Sequence, residues 1–388
     1  MTEARDRQVG VWLVGARGSV ATTVVTGAAA TVAGLAEPTG LVTARPPFAD
    51  VGMPALADLV FAGHDIVETP LATRAAQLVD AGVLPAGVPS AVGDALAEAE
   101  AEQRRGITAN EARAEPRVAI DRIASDLRAF RERHELDRVV VVNLASTEAP
   151  MEPHDALLAS DGSATLERTL GVLPPSSLYA VAAIECGCAF VDFTASTGAR
   201  VAAIETLAKA HEVPLAGSDG KTGETMVKSA LAPAFVERSL KVRSWSATNL
   251  LGGGDGETLS DPDRARAKLL SKGRVLEQIL GYAVEAPIRI ETVRELGEWK
   301  TAWDHIVFEG FLGVRMCMQF TWEGCDSALA APLVLDLVRL MTLALDRGES
   351  GFVRDLAFFF KDPAGSSEHA LHRQYAMLER WACQEVVV

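Results

Sequence analysis

The chain has 388 residues, of which 48% are hydrophobic and 6% aromatic, and its formal net charge at pH 7 is −15. This length and apolar content suffice for one large domain or two with an aliphatic core. The acidic balance argues against a nucleic-acid-binding protein, which needs a basic surface. Because no uncharged apolar run reaches eighteen residues and the N-terminus lacks an apolar signal core, we expect no membrane span. We expect a cytoplasmic protein whose five cysteines are free thiols.

The first predicted element is a strand, a glycine turn and a helix, as at the start of a dinucleotide-binding fold. Residues 8–14 form an apolar run, and the spacing Gly15-x-x-Gly18-x-x-Ala21 follows it. Gly15 permits a tight turn, Gly18 lets a pyrophosphate approach the backbone, and Ala21 keeps helix and strand close. A glycine turn without a cofactor is equally compatible with this spacing. The predicted cofactor-binding residues of the loop are Gly15, Ala16, Arg17, Gly18, Ser19 and Val20.

The segment after this strand–turn–helix unit lacks the acidic residue that a dinucleotide-binding fold usually has. An acid usually binds the ribose about twenty residues after such a glycine loop, but residues 41–47 contain no carboxylate. Asp65 is the nearest candidate for this role, and its alternative role is that of an ordinary loop or cap carboxylate. We expect no chemistry from the two surface helices that follow at 91–100 and 118–133, which are rich in Ala, Glu and Arg.

A central parallel strand is predicted where an apolar run ends at Asn143. Ligands of open α/β sheets bind at the carboxyl ends of the strands. We therefore predict that Asn143, Ser146 and Thr147 contact the cofactor, although a polar turn explains these residues equally well. Further predicted strands near 189–194 and 213–217 continue the alternation of strands and helices.

The stretch Ser218-Asp-Gly-Lys-Thr-Gly-Glu-Thr225 predicts an anion site. It lies between an apolar strand and a helix that includes Met226. Glycines and hydroxyls at a helix start leave backbone N–H groups free to bind phosphate or carboxylate. A Walker A loop would need glycine where this chain has Leu215. We therefore expect a phosphate cradle that does not hydrolyse nucleoside triphosphates.

Beyond residue 223 the pattern changes. Polar and apolar residues alternate at 242–249, 288–293 and 306–320. Such alternation indicates strands of a sheet with one covered face. A long apolar segment at 330–341 then returns to a helical pattern.

These patterns together predict an α/β fold with an inserted domain. Both chain ends, 1–222 and 328–388, are predicted to build a Rossmann-type dinucleotide-binding domain. Residues 223–327 are predicted to form a second, α+β domain between them.

Four lysines are candidates for binding or catalysis. Lys268 and Lys272 are four residues apart, so a helix would place both on one face, where like charges destabilise unless an anion lies between them. Lys361 follows Phe358-Phe-Phe360, an apolar wall that would partly desolvate its amine for acid–base work. The alternative is that these lysines and Lys300 are ordinary surface residues.

Three carboxylates lie close to the candidate loops. Asp219, Asp255 and Asp326 are positioned to orient lysines or a nicotinamide, although each is equally compatible with a turn carboxylate. Asp255 belongs to the flexible loop Leu251-Gly-Gly-Gly-Asp-Gly256, whose glycines let backbone amides approach a ligand. No His and Cys cluster has the spacing of a zinc site.

The order of these stretches resembles the myo-inositol-phosphate synthase family, also called inositol-3-phosphate synthases, and is closer to its short archaeal-type members. The resemblance extends from the Gly15 loop to Lys361. The stretches that carry it are Asn143-Leu-Ala-Ser-Thr-Glu148, Gly217-Ser-Asp-Gly-Lys-Thr-Gly-Glu-Thr225, Leu251-Gly-Gly-Gly-Asp-Gly256, Lys268-Leu-Leu-Ser-Lys272, Trp299-Lys-Thr-Ala-Trp-Asp304 and Cys325-Asp-Ser-Ala-Leu-Ala-Ala-Pro-Leu333.

This resemblance implies a fold, a cofactor and a reaction. The family has a Rossmann domain from both chain ends with a catalytic and tetramerising α+β domain inserted, which implies a homotetramer. It holds NAD tightly and isomerises a hexose 6-phosphate. NAD oxidises C5 of open-chain glucose 6-phosphate, an enolate at C6 attacks the C1 aldehyde, and NADH reduces the ring ketone. No net cofactor is consumed.

The resemblance also implies a phosphate site. Thr222 and Gly223 match the family's phosphate-binding hydroxyl and glycine. Leu251 matches a phosphate contact made through the backbone. Lys272 and Lys300 match lysines near the phosphate and its adjacent carbon.

For the chemical steps, the resemblance implies a role for each remaining candidate. Lys268 matches the lysine that exchanges a proton with the C5 oxygen. Lys361 matches the lysine near C1, whose ammonium would stabilise oxyanion charge. Asp219 and Asp326 would tune these lysines, and Asp255 would lie beside the nicotinamide.

One departure from the family pattern leaves the substrate open. A side chain with an amide or carboxylate commonly stands where this chain has Gly253, which we include among the substrate-binding residues. The substrate is expected to be glucose 6-phosphate. One alternative is fructose 6-phosphate, which would close to a five-membered carbocycle, and another is a non-catalytic NAD-binding protein. The sequence leaves a requirement for a metal or ammonium ion undecided.

Overall fold

A computed structural model describes residues 7–149, 151, 163–252 and 275–384 of the chain. The described strands form two sheets, one of seven strands and one of four. The strands of the seven-stranded sheet are β1 (Val9–Val14), β2 (Leu59–Asp65), β3 (Gln103–Arg105), β4 (Arg138–Asn143), β5 (Ala189–Asp192), β6 (Pro214–Gly217) and β11 (Gly351–Phe352). Those of the four-stranded sheet are β7 (Lys241–Leu251), β8 (Ile288–Thr292), β9 (Trp299–Glu309) and β10 (Arg315–Cys325).

Helices cover these sheets. The α-helices with described bounds are α1 (Ser19–Val32), α2 (Leu71–Asp80), α3 (Val88–Ala91), α4 (Gly93–Ala101), α5 (Ala109–Ala114), α6 (Pro116–Arg133), α7 (Ser163–Thr169), α8 (Pro175–Glu185), α9 (Ala202–Ala210), α10 (Glu224–Glu237), α11 (Asp326–Asp346) and α12 (Leu371–Ala382). Residues 275–280 are also helical. Short 3₁₀ turns lie at Val42–Ala44, Phe48–Asp50, Leu56–Asp58, Leu170–Val172, Arg294–Leu296, Phe311–Gly313 and Arg354–Phe359.

The seven-stranded sheet is parallel and doubly wound. Its strand order is β11-β6-β5-β4-β1-β2-β3, so the chain fills one side from β1 to β3 and then the other from β4 to β6. Every residue of β1 is buried, because helices cover both faces of such a sheet and its strands are apolar throughout. The order reverses between β1 and β4, and this switch point is where such sheets bind nucleotides.

The C-terminal part of the chain returns to this first sheet. Strand β11 pairs in parallel with β6. Helix α11 buries Val334, Val338 and Met341 in the same core cluster as Val11 and Leu13 of β1. This return agrees with the predicted contribution of both chain ends, while the exact boundaries at 222 and 327 stay a prediction.

Helix α11 is the one helix among the described residues that is long and apolar enough to cross a membrane. Its most apolar window has a mean hydropathy of 1.9, and 67% of that window is buried inside the fold. A scan for uncharged runs does not detect it, because it carries Asp336 and Arg339. Its burial is that of a core helix, so no convincing membrane span is present in the described chain.

The four-stranded sheet has one covered face, as the alternating pattern predicts. Strand order is β10-β9-β7-β8, with antiparallel pairs β10–β9 and β9–β7 and a parallel pair β7–β8. Ala232 and Phe235 of α10 form one core cluster with Trp245 and Ile306 of the sheet. The opposite face carries side chains such as Trp303, which is 42% exposed.

A pair of glycine substitutions tests how closely β1 and β2 approach. A Cβ on Gly63 would lie 2.2 Å from the Leu13 carbonyl oxygen and 2.5 Å from the Ala16 Cβ. We expect Gly63→Ala to lower the free energy of unfolding by about 1–3 kcal/mol or more, since β1 must shift. Gly27→Ala, in α1 with no atom within 4 Å of its Cβ position, should instead raise it by about 0.5–1 kcal/mol. Urea denaturation of both variants measures this difference, and equal stability of the two would contradict it.

Candidate active site

The predicted cofactor loop makes a tight turn between the central strands. Gly15 has φ of +83°, and a Cβ there would lie 2.9 Å from the Ala145 backbone, so only glycine fits. The N–H groups of Gly15 and Ala16 donate to the His64 carbonyl oxygen at 2.9 and 3.2 Å. Gly18 is the N-cap of α1 and provides no side-chain cap. The first amides of α1 are therefore free of a cap and suited to an anion.

Asp65 is the last residue of β2, the position from which this fold presents an acid to a ribose. Its Oδ2 accepts the Arg17 backbone N–H at 2.7 Å and its Oδ1 accepts the Val67 N–H at 2.9 Å. An ionised carboxylate can accept about four hydrogen bonds, so both oxygens keep capacity for a ligand. Both functions that the sequence left open for Asp65, loop support and ribose contact, are compatible with this position.

The remaining predicted loop residues are anchored within the protein. The Arg17 side chain pairs with Glu100, and Ala16 is buried and offers only its backbone. Ser19 Oγ donates to Glu298 Oε1 at 3.0 Å, and Val20 packs against the core.

A cleft opens at the carboxyl ends of β1, β2 and β4. Gly15, Asp65, Asn143 and Glu148 are among the residues that line it. Ser146 is exposed and Thr147 half-buried in the loop that follows β4. These features together fit a dinucleotide. The start of α1 is uncapped, Gly15 leaves no room for a side chain, and the cleft opens at the switch point of the sheet.

Asn143 organises this edge from inside the protein. The buried amide donates to Asp192 Oδ1 at 3.1 Å and accepts the Ala145 N–H at 3.2 Å. The Asp192 carboxyl, which the sequence did not single out, has a pKa raised to about 7 by burial, against the opposing effects of Arg200, Thr194 and Asn143. Its position after Phe190 and Val191 at a strand end is the signal that would have marked it.

Hydrogen bonds hold the predicted phosphate loop on one side to the residues after β5 and on the other side to Lys361. The N–H groups of Asp219 and Gly220 donate to the carbonyl oxygens of Thr194 and Phe193 at 2.8 and 2.9 Å. A Cβ on Gly220 would lie 2.2 Å from the Phe193 ring. The Lys361 N–H donates to the Asp219 carbonyl oxygen at 2.7 Å, and Lys361 Nζ donates to Asp219 Oδ1 at 2.8 Å. Lys361 and Asp219, two of the predicted site residues, are therefore in direct contact.

Asp326 gathers the second group of predicted residues. It is the first residue of α11, where a helix favours negative charge. Its Oδ1 accepts from Lys300 Nζ and, at 2.7 Å, from Thr222 Oγ1. Desolvation alone would raise the pKa of the Asp326 carboxyl, but Lys300, Lys361 and Thr222 together hold it well below its usual range. Asp326 is thus ionised, and both predicted catalytic lysines among the described residues, Lys300 and Lys361, lie within its field.

The start of helix α10, whose amides lack a side-chain cap, lies beside Lys300. Helix α10 begins at Glu224, and its N-cap Gly223 provides no side-chain cap. A Cβ on Gly223 would lie 3.1 Å from Lys300 Nζ. Leu251 pairs with Lys300 across β7 and β9, so this candidate also borders the site. A helix start without a side-chain cap, next to an ammonium, is a suitable phosphate site.

Four predicted residues lie outside the described residues. They are Lys268, Lys272, Gly253 and Asp255. Their predicted roles stay predictions. No group of three or more His, Cys, Asp or Glu able to hold a metal ion occurs within the ranges that the structure describes.

Sequence reasoning missed two buried lysines. Lys221 is 3% exposed and donates to Gln374 of α12. Lys228 pairs with Glu224 one helical turn away, and its Nζ lies 3.7 Å from Asp304 Oδ1 on β9. The i, i+4 spacing of Glu224 and Lys228 was the available signal. These lysines tie the phosphate loop and α10 to the elements beneath them.

The burial of Lys221 gives stability a pH dependence. Burial lowers its pKa from 10.5 to about 7, and Lys221 in turn contributes, together with burial, to the lowered pKa of His369. Between pH 7 and 10.5 the unfolded chain binds this proton and the folded protein does not, so the free energy of unfolding rises with pH. We expect Lys221→Met to remove up to about 1.4 kcal/mol per pH unit of this rise.

Urea denaturation at pH 7, 8 and 9 measures the effect of Lys221→Met. The matched control is Lys209→Met on α9, where the lysine side chain is 59% exposed. The control should keep the wild-type pH dependence. An identical pH dependence in Lys221→Met and the wild type would contradict the prediction.

Known proteins resemble the chain over nearly its whole length. The model of a family described as myo-inositol-1-phosphate synthase matches residues 9–382. An inositol-3-phosphate synthase 1 of Bacteroides thetaiotaomicron is 33% identical, over 93% of this chain and 91% of that protein. Human inositol-3-phosphate synthase 1 is also 33% identical, over 67% of this chain and 51% of the human protein.

Solved structures share the fold. An inositol-3-phosphate synthase of Caenorhabditis elegans matches with a TM-score of 0.85 and 23% identity, over 97% of this chain and 86% of that chain. A myo-inositol-1-phosphate synthase-related protein of Thermotoga maritima matches with a TM-score of 0.78 and 26% identity, over 97% and 98%. The predicted fold class, a parallel α/β sheet with an additional sheet, is confirmed.

Proposed function

The chain belongs to the myo-inositol-1-phosphate synthase family, and we propose that it cyclises glucose 6-phosphate to an inositol phosphate at the site described above. The predictions of the family, of an NAD-dependent isomerase and of NAD as cofactor are confirmed by the family match and the bacterial relative. The observation that carries the site assignment is the convergence of Lys300 and Lys361 on Asp326. Nothing in the comparisons favours the fructose 6-phosphate cyclase or the non-catalytic protein.

The residues that would hold the cofactor are those around the switch point. The uncapped start of α1 at Gly18 suits the pyrophosphate, and Asp65 suits the ribose. When bound, NAD accepts a hydride from C5 of the open-chain sugar and returns it to the ring ketone. The conjugate proton needs an acceptor among the lysines, and the resemblance gives this role to Lys268.

The substrate phosphate fits the open amides of α10. Gly223 leaves them uncapped and Lys300 brings an ammonium beside them. Fixed positive groups bind a phosphate without reorganisation and position the carbon attached to it. Because Asp326 holds both Lys300 and Thr222, it fixes the positions of the two side chains on either side of this glycine.

Lys361 suits the aldol step. Its ammonium is held by Asp219, while the backbone pairing between the two residues fixes its position. When a C6 enolate attacks the C1 aldehyde, negative charge develops on the C1 oxygen, and an ammonium already in place stabilises it. The paired carboxylates hold the ammonium groups of both described lysines in position for this work.

Product analysis tests this function. Wild-type protein with NAD should convert glucose 6-phosphate to a six-membered cyclitol phosphate that NMR identifies, and fructose 6-phosphate should give no ring. Lys361→Ala should lower turnover by a factor of about 100 to 1,000, the usual cost of one oxyanion donor, while NAD stays bound. The matched control is Lys209→Ala, on the exposed face of α9. A five-membered product from fructose 6-phosphate, or unchanged turnover in Lys361→Ala, would contradict the assignment.

We also propose that the protein is a cytoplasmic homotetramer assembled through its four-stranded sheet. Strand β10 is an edge strand of eleven residues, and an edge of this length invites pairing with another chain. Large apolar side chains around the β9–β10 hairpin are exposed, including Phe311 at 89% and Leu312 at 84%. Exposed apolar groups of this kind mark interfaces. All five cysteines are free, as in a reducing compartment.

Mass measurement in solution tests the assembly. Wild type should have four times the 41.1 kDa mass of one chain, and Phe311→Asp should give smaller species because it places a charge in the interface. Val118→Asp on α6, where the residue is 61% exposed, is the control and should leave the mass unchanged. Sedimentation equilibrium makes the measurement, and a monomeric wild type would overturn the proposal.

A further inference from the structure

An indole N–H lies unused at the predicted phosphate site. Trp322 Nε1 is shielded from water and has no hydrogen-bond partner among the described residues. It lies 3.1 Å from the position that a Cβ would take on Gly223, the same distance as Lys300 Nζ. The indole N–H and the ammonium therefore border one point beside the open amides of α10.

The register of the four-stranded sheet explains this placement. Trp322 on β10 pairs with Ala302, which pairs with Asn249 on β7, so the three side chains share the face that α10 covers. Ala302 is small and leaves room between its larger neighbours. Asn249 is 4% exposed, and its Nδ2 is a second donor with no partner in the described part of the chain. This row therefore offers two unsatisfied donors.

Gly324 permits the orientation of the ring. It is two residues beyond Trp322 on the same strand and face, and a Cβ there would lie 3.1 Å from Trp322 Nε1 and 3.3 Å from Cε2. The indole therefore lies along β10 over the glycine, toward Lys300, which pairs with Gly324. Any larger residue at 324 would push the ring out of this position.

We propose that Trp322 is a substrate-binding residue that donates its indole N–H to an oxygen of the substrate phosphate, beside Gly223 and Lys300. A buried donor without an acceptor destabilises the free protein, so an acceptor that enters the site gains affinity by satisfying it. Indole nitrogen only donates, which suits a phosphate oxygen rather than an ammonium or an amide N–H. The assignment rests on the proposed function for the identity of the phosphorylated ligand.

Calorimetric titration of the NAD-loaded enzyme tests the proposal. Trp322→Phe keeps an aromatic ring but removes the donor, and it should weaken the binding of both glucose 6-phosphate and inorganic phosphate about tenfold or more, as for a lost bond to a charged group. Trp303→Phe is the matched control. Trp303 lies on the neighbouring strand β9, and its side chain is on the opposite, exposed face. The affinities of Trp303→Phe for glucose 6-phosphate and inorganic phosphate should equal those of wild type.

Unchanged affinity for glucose 6-phosphate in Trp322→Phe would overturn the proposal. Weaker glucose 6-phosphate binding with unchanged phosphate binding would overturn the assignment of the donor to the phosphate. If Trp322→Phe does not fold, Gly324→Ala provides the same test, because its Cβ displaces the indole. A wild-type enzyme that binds glucose 6-phosphate without forming a cyclitol would refute the proposed function and leave this binding test valid.

Discussion

One carboxylate organises the candidate active site. Asp326 accepts from Lys300 and Thr222 and lies in the field of Lys361, so three distant parts of the chain meet at it. A cluster of ammonium groups alone would repel itself and separate. Because Asp326 begins a long core helix whose opposite end packs under the first sheet, its position is fixed by the hydrophobic core, and the lysines are positioned with it. Electrostatic preorganisation of the site therefore depends on apolar packing.

A second constraint brings the predicted dinucleotide and phosphate sites to one region. The loop after β6 is held on one side by backbone bonds to the end of β5 and on the other by the segment around Lys361. The first contact fixes this loop at the carboxyl edge of the parallel sheet, where the cofactor cleft opens. The second contact places Lys361 within hydrogen-bond distance of Asp219. The sheet topology that creates a nucleotide site thus also positions the amine of Lys361, which we propose to be catalytic.

Much of this arrangement could be predicted from the sequence, because it follows from local patterns. The spacing of an apolar strand, two glycines and a helix predicted the Gly15 loop. The alternation of polar and apolar residues predicted the strands of the four-stranded sheet. Asp65 was harder to place, because the segment between α1 and β2 moves the acid far beyond its usual spacing. The partners of Lys221 and Trp322 could not be predicted, since Gln374 is 153 residues from Lys221 and the indole position depends on strand register. Burial of a lysine and unsatisfied donors are properties of packing that no local pattern encodes.

The protein and its proposed substrate are both negatively charged, and contacts at short range explain how the two can still bind. A net charge of −15 would repel a sugar phosphate, but salt screens exposed charges beyond about 8 Å at physiological ionic strength. At shorter range, the proposed phosphate site includes Lys300, the uncapped start of α10 and the indole of Trp322 among the described residues. The carboxylates of Asp326 and Asp219 are paired with the ammonium groups of Lys300 and Lys361. A few fixed donors therefore suffice for the proposed phosphate site to select an anion in a protein of net negative charge.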